Sequence, residues 1–350
     1  MEDKKDIRSL EFCELEDVFS KLGEPKYRAK QVFSELCRGK DINEITTLSK
    51  PLRAKLCDMF KCELPTVETR LVSKIDGTRK YLFRFSDGQS AESVFMKYNH
   101  GNTVCVSTQA GCRQGCAFCA STKRGLVRNL EPCEILSQII GIEKDTGERV
   151  SGIVLMGTGE PLDNYENVIK FLHIVTHKDG LCIGARHISL STCGCVDRIY
   201  DLAKEDLQIT LSISLHAIDN ETRSKIMPIN KKWNVETLLT ATKDYFAATG
   251  RRISFEYTLI SGVNDSKEDA KAIVDKFSQI FARSMPLHIN LIPVNPIEET
   301  QFVPGSKTRI FEFQSILEKG GITATVRRTL GPDINASCGQ LRNRAQDQDT

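Results

Sequence analysis

The chain has 350 residues, 40% of them apolar and 27% charged, with a net charge of +2, which suits a soluble globular protein of roughly two domains. Residues 1–20 mix both charge signs, so no secretory segment is read there, and no apolar run approaches the ~18 residues that cross a bilayer. The expectation is a cytoplasmic protein, in which thirteen cysteines argue for metal binding or catalysis rather than a disulfide framework.

From about residue 10 to 60, apolar residues such as Val18, Leu22, Val32, Phe33 and Leu36 recur at helical spacing, which predicts a small all-helical domain over 1–65. Lys26, Arg28, Lys30, Lys50, Arg53 and Lys55 lie on its polar positions. Each alone fits a solvated helix face; together they suit contact with RNA. Over 66–103, β-rich runs such as Tyr81-Leu82-Phe83 and Val94-Phe95 are separated by Asp76-Gly77 and Asp87-Gly88. These are tight-turn signals and predict a short antiparallel extension.

From 104 to 345, strands at 104–106, 152–156, 187–191, 209–215, 253–259 and 287–292 alternate with helices from 131 and at 165–176, 196–203, 235–248, 267–281 and 308–319. Regular βα alternation implies a parallel sheet with right-handed crossovers. Polar residues follow nearly every strand, where a barrel puts its site, but six units are too few to close an eight-fold barrel. The predicted fold is therefore α/β: a partial (β/α)6 barrel with a small N-terminal helical domain and a short antiparallel β extension. The segment from Arg342 to Thr350 reads as a frayed tail.

Cys112, Cys116 and Cys119, in Gly-Cys-Arg-Gln-Gly-Cys-Ala-Phe-Cys-Ala, follow the first parallel strand. Three thiolates in one loop hold three corners of an iron-sulfur cube and leave its fourth iron open, whereas ferredoxins give every iron a cysteine. Zinc is the competing reading, although zinc sites usually pair CxxC motifs or include histidine, and the nearest histidine is His100. Gly157-Thr158-Gly159-Glu160 follows the second strand, Ser191 ends the third, Ser214, Leu215 and His216 end the fourth, and Asn295 follows the sixth. Taken singly, each is a turn or a structural hydrogen bond. Cys105 and Cys338 alone would be small buried apolar residues, and Glu92 one strand carboxylate among many.

As an ordered set these residues, with Val-Arg-Arg-Thr-Leu-Gly-Pro-Asp-Ile-Asn-Ala-Ser-Cys-Gly-Gln-Leu around Cys338, resemble the bacterial dual-specificity 23S ribosomal RNA and transfer RNA (adenine-C2)-methyltransferase family of radical S-adenosylmethionine (SAM) enzymes. The resemblance runs from Tyr27-Arg28-Ala29-Lys30-Gln31 to Gly339-Gln340-Leu341. It implies a [4Fe-4S] cluster on Cys112, Cys116 and Cys119, and SAM contacts at Gly159, Glu160, Ser191, Ser214, Leu215, His216 and Asn295. Two SAM molecules per turnover are implied as well. Adenine C2 is electron-poor and cannot take a methyl by displacement, and the family mechanism answers with a radical. Cys338 is then expected to become S-methylcysteine, Cys105 to form a transient disulfide with it, and Glu92 to accept the C2 proton.

The implied partners are 23S rRNA and tRNA, and an electron donor such as flavodoxin or ferredoxin; no membrane is expected, and the chain is expected to be a monomer. The flanking glycines and Asp333 suggest that the Cys338 loop is poised over the barrel mouth. Departures from the common pattern are Ser121-Thr122 where Thr-Gly is usual, Thr158 where Met is usual, and Asn335 where Asp is usual. The alternatives are the sister family that methylates adenine C8 and a non-catalytic, zinc-stabilised RNA-binding protein.

Overall fold

The computed structural model describes residues 4–282 and 284–341. The tail read as frayed, and the last residues of the domain expected to end at 345, lie outside the described residues.

The N-terminal helices are α1 (Phe12–Lys21), α2 (Tyr27–Cys37) and α3 (Lys50–Met59). Their starts follow from local chemistry: Glu11 and Glu14 form a reciprocal capping box on α1, and the Ser49 side chain accepts from the Leu52 amide while proline occupies the first turn of α3. Leu15, Phe19, Val32, Phe33, Leu36, Leu52 and Leu56 are buried, each such side chain contributing about 1.5–3 kcal/mol. The Lys144 ammonium donates to the Gly39 carbonyl at 2.7 Å, and the Phe12 ring stacks on His177 with centroids 4.4 Å apart. These contacts dock the helices on the sheet domain.

Strands β1 (Thr66–Val72), β2 (Arg79–Arg84) and β3 (Ser90–Tyr98) form an antiparallel meander. Gly77 and Gly88 turn its corners at φ +73° and +82°, as the Asp-Gly pairs predict. Strand β4 (Gly101–Cys105) pairs antiparallel with β3 on one side and parallel with β7 (Gly152–Leu155) on the other. The extension is therefore continuous with the barrel sheet. Between β4 and β7 come a small hairpin, β5 (Gln109–Gly111) with β6 (Leu126–Asn129), and α4 (Pro132–Thr146).

The alternation then runs α5 (Tyr165–Thr176), β8 (Ile188–Thr192), α6 (Val196–Leu202), β9 (Thr210–Ser214), α7 (Asn220–Ile226), α8 (Val235–Thr249), β10 (Ile253–Leu259), α9 (Lys267–Phe281), β11 (His288–Pro293), α10 (Lys307–Lys319) and β12 (Thr323–Val326). The ten-stranded sheet is ordered β1-β2-β3-β4-β7-β8-β9-β10-β11-β12. Its members β4 and β7 to β12 run parallel, so six βα units are followed by a seventh strand that the sequence reading of about six does not include. Only one of its four positions is buried, so β12 lacks the apolar run that marks the others.

Period-two alternation gives the sheet two chemically different faces. On β10, Phe255 and Tyr257 point to the helices, their rings 4.8 Å from Phe277 and 5.4 Å from Phe313. The intervening Ser254, Glu256 and Thr258 belong to the concave interior, where Ser189 Oγ also lies 2.9 Å from Ser212 Oγ. A polar concave face is unusual for a packed core and marks the side where ligands bind.

Candidate active site

The cysteine loop hangs from the β5–β6 hairpin. Gly111 sits at φ +81°, and a Cβ there would come within 2.0 Å of the Gly125 carbonyl oxygen, so only glycine lets the two strands meet. The Cys112 amide donates to that same carbonyl at 2.9 Å. Thr122 Oγ1 donates to the carbonyls of Cys116 at 3.2 Å and Cys119 at 3.0 Å, and the Ala117 amide to Ile226 at 2.8 Å. The loop is thereby held against the end of α7.

Cys112, Cys116 and Cys119 all line one cavity of about 150 Å3. Burial, then the neighbouring thiols, push the Cys116 thiol well above its ordinary range, a like-charge arrangement that bound cationic iron relieves. Among the described residues, the side chains drawn together as tightly as one ion requires, within 4.8 Å, are Glu160, Cys193 and Cys195. The three cysteines are spaced more widely around their cavity, which fits a multi-atom cluster better than a single zinc.

The same cavity receives Gly159, Glu160, Ser191, Ser214, His216 and Asn295. The turn that carries Glu160 is zipped to the residues after β4: the Gly157 amide donates to Val106 at 3.1 Å, Thr158 to Ser107 Oγ at 2.9 Å and Glu160 to Gln109 Oε1 at 2.8 Å. The buried Glu160 carboxylate accepts from the amides of Leu162 at 3.0 Å and Cys193 at 2.7 Å. His216 adopts φ +54°, and its Nδ1 accepts from the Thr258 amide at 2.9 Å. Burial and then Arg223 lower its pKa to about 3, so the ring is neutral. Leu215 is not among the lining residues: its side chain is fully buried, its amide donates to Glu256 at 3.0 Å, and its carbonyl accepts from Arg223.

Cys105 and Cys338 meet at a second, smaller cavity of about 40 Å3 beside the first. Cys105 pairs with Val94 on β3 and Val154 on β7, and burial with the nearby Cys338 pushes its thiol up to about 12. Cys338 lines both cavities. Its loop is strapped at both ends: Ala120 donates to Gly339 at 2.8 Å, and Ser121 Oγ to Leu341 at 2.8 Å. At the other end Asp333 accepts from Ser73 Oγ at 2.7 Å and the Lys74 amide at 2.9 Å. Asp333 therefore fastens the loop to the β1–β2 turn, while Cys338 and Gly339 of the same loop line the larger cavity.

Glu92 lines neither cavity. It forms a buried ion pair with Lys80 at 3.0 Å, and Lys80 also donates to the Asn335 carbonyl at 3.0 Å. The sequence departures are local neighbours: Ser121 Oγ is 3.5 Å from Thr158 Oγ1, and Asn335 takes φ +50°, a conformation asparagine tolerates.

Sequence reasoning missed Arg223 and Glu256 and read Arg327 only as half of a basic pair in the motif around Cys338. Arg223 is fully buried and donates to the carbonyls of Leu215, Ser214 and Cys193 at 2.9, 3.0 and 2.8 Å, knitting together the ends of β8 and β9. Glu256 and Arg327 line the first cavity. Period-two alternation on 253–259 was the available signal for Glu256; Arg223 had none.

The family model of the radical SAM superfamily matches residues 106–274, and that of the ribosomal RNA large subunit methyltransferase N-terminal domain matches residues 5–62. A probable dual-specificity RNA methyltransferase RlmN from Clostridium novyi is 49% identical over 340 residues, covering 97% of this chain and 98% of the relative. One from Clostridium botulinum is 52% identical over 320 residues, 91% of each. Among solved structures, a radical SAM methyltransferase from Sphaerobacter thermophilus superposes with a TM-score of 0.90 at 40% identity, covering 98% of this chain and 100% of that one.

Proposed function

The chain belongs to the RlmN family of dual-specificity RNA methyltransferases, and on that premise we propose that Cys338 carries the transferred carbon to C2 of adenine. It is a radical SAM enzyme that uses a [4Fe-4S] cluster and SAM to methylate RNA, the adenine C2 of 23S rRNA and tRNA. One observation supports the residue assignment: Cys338 stands in the wall shared by two cavities, with the three-cysteine loop and Glu160 in one and Cys105 in the other.

Cys112, Cys116 and Cys119 hold the cluster, which when bound supplies the electron that cleaves the SAM sulfonium. Glu160 and the turn at Gly159 receive the methionine end of SAM, and Ser191, Ser214, His216 and Asn295 its nucleoside; Leu215 serves as backbone support. Cys338 attacks the methyl of one SAM, releasing S-adenosylhomocysteine, and becomes S-methylcysteine; a second SAM would supply the radical that takes one hydrogen from that methyl. Once the carbon is bonded to C2, Glu92 takes the C2 proton and Cys105 attacks the Cys338 sulfur. The unpaired electron of the adduct would return to the oxidised cluster, the carbon leaves with the RNA once a proton has completed the methyl group, and the two sulfurs remain as a disulfide that a thiol reductant reopens.

A low-potential protein such as flavodoxin or ferredoxin supplies the electrons to a monomeric enzyme, and substrates of this kind support a cytoplasmic location. No helix among the described residues is long and apolar enough to cross a membrane. Anaerobic reaction of the reconstituted protein with RNA and methyl-labelled SAM tests the reading. The expected product is 2-methyladenosine; 8-methyladenosine, or no methylated base, contradicts it.

A further inference from the structure

Resting on the adenine-methylation reading, we infer that Glu256 and Arg327 read the Watson–Crick edge of the target adenine and so set base specificity. Glu256 is 3% exposed and lines the larger cavity. Its Oε1 is engaged, accepting from Ser254 Oγ at 3.2 Å and Asn290 Nδ2 at 3.3 Å. Its Oε2 is buried without a hydrogen-bond partner, and the Arg327 guanidinium lies 3.9 Å away. Burial raises the pKa of this carboxyl, and Arg327, then Asn290, Ser254 and Ser212, oppose that by favouring the anion. A buried acceptor left unpaired is costly unless a ligand supplies the donor.

Arg327 and Cys338 both line both cavities. Arg327 stands 3.9 Å from Glu256 and shares both cavity walls with Cys338, so we read acceptor, cation and reacting thiol in the order Glu256, Arg327, Cys338. Along one edge of adenine the corresponding order is N6, a hydrogen-bond donor; N1, an acceptor; and C2, the carbon to be methylated. The N6 amino group donates to Glu256 Oε2, Arg327 donates to N1, and C2 is left facing Cys338. Guanine and hypoxanthine reverse the polarity at both positions, presenting O6 and N1–H, so the same pair rejects them. Hypoxanthine keeps a C2–H, so its exclusion must come from recognition.

The test uses reconstituted holoenzyme and an RNA hairpin substrate carrying adenosine, inosine or purine riboside at the target position. Wild type is expected to favour adenosine over inosine in kcat/KM on the order of 100-fold or more, since the site is built around a donor. In Glu256→Gln the amide can turn its NH2 toward O6, and that ratio is expected to narrow by about tenfold or more. In Glu256→Ala the preference for adenosine over purine riboside, which lacks the amino group, is expected to collapse to within about threefold. Cluster absorbance and SAM affinity are read alongside. An unchanged adenosine-to-inosine ratio in Glu256→Gln overturns the inference, whether both rates fall together or SAM affinity alone drops, the latter assigning Oε2 to a SAM hydroxyl. Failure of wild type to methylate the adenosine hairpin would instead contradict the underlying activity.

Discussion

Asn295 donates from Nδ2 to the backbone carbonyl of Cys338 at 3.0 Å. The bond joins the segment after β11 to the reactive loop, and Gln340 adds a second tie by donating to Pro296 at 3.1 Å. Since one such bond contributes about 1 kcal/mol, Asn295→Ala should leave the fold intact and loosen the loop. Methylation is expected to fall roughly tenfold while limited proteolysis within 331–341 quickens. Asn295→Asp should be worse, because a carboxylate would face the Cys338 carbonyl. A variant with wild-type turnover would show that the tie is incidental.

The Lys80–Glu92 pair is almost fully buried, with side chains 5% and 2% exposed. Removing one partner takes from the other its buried counter-charge, at a cost of about 3–5 kcal/mol. Lys80→Met is therefore expected to lower the urea midpoint markedly, and Lys80→Met/Glu92→Leu to recover most of the loss. If Glu92 takes the C2 proton, the double variant regains stability without regaining turnover. Recovery of both would remove Glu92 from the reaction.

His216 supplies a pH dependence with a definite sign. Its folded pKa of about 3 lies below the ordinary 6.5, so the unfolded chain takes up the proton first. Its contribution is complete above pH 6.5 and declines as pH falls toward 3, by up to ~1.4 kcal/mol per pH unit. Protonation at Nδ1 would also break the bond from the Thr258 amide. In His216→Asn, which tolerates φ +54°, the drop in urea midpoint between pH 6.5 and 5.5 should be smaller than in wild type. Equal slopes would contradict a neutral buried imidazole.

Gly159 holds φ +109°, and a Cβ there would lie 2.7 Å from Gln109 Cβ and 2.9 Å from the Gln109 amide nitrogen. Gln109 in turn positions the Glu160 amide. Gly159→Ala is expected to cost about 1–3 kcal/mol and to weaken SAM binding at least about tenfold, through displacement of Glu160. The three-cysteine loop, closed by the Cys112–Gly125 backbone bond rather than by Gln109, should still take up iron. SAM affinity equal to wild type, measured by equilibrium dialysis, would contradict this.

Long elements with clean periodicity were legible in the sequence: the helices at 165–176 and 267–281 and the strand at 253–259 fall where the pattern put them. The β5–β6 hairpin and β12 were not, because three- and four-residue strands carry too little pattern to outweigh loop signals. The residues after successive strands were found as a set, and the structure brings most of them to one cavity. Leu215 is the exception, since apolar character in a motif does not say whether side chain or backbone matters. Arg223 escaped notice because its role depends on carbonyls distant in sequence, and Arg327 was legible only as half of a basic pair because its cavity neighbours lie on other elements. Asp333 was read only as one sign of a loop poised over the mouth; its partners are Ser73 and Lys74 on a turn some 260 residues earlier, at a separation of 260 for Ser73.

The central claim is that Cys338 bears the carbon and Cys105 releases it. The most direct measurement is peptide mass spectrometry of Cys105→Ala after anaerobic reaction with SAM, reductant and substrate RNA. A covalent adduct in which a one-carbon bridge joins Cys338 to the target adenosine is the expected result, with little free product. Release of 2-methyladenosine at the wild-type rate, or an adduct on any other cysteine, would contradict the account.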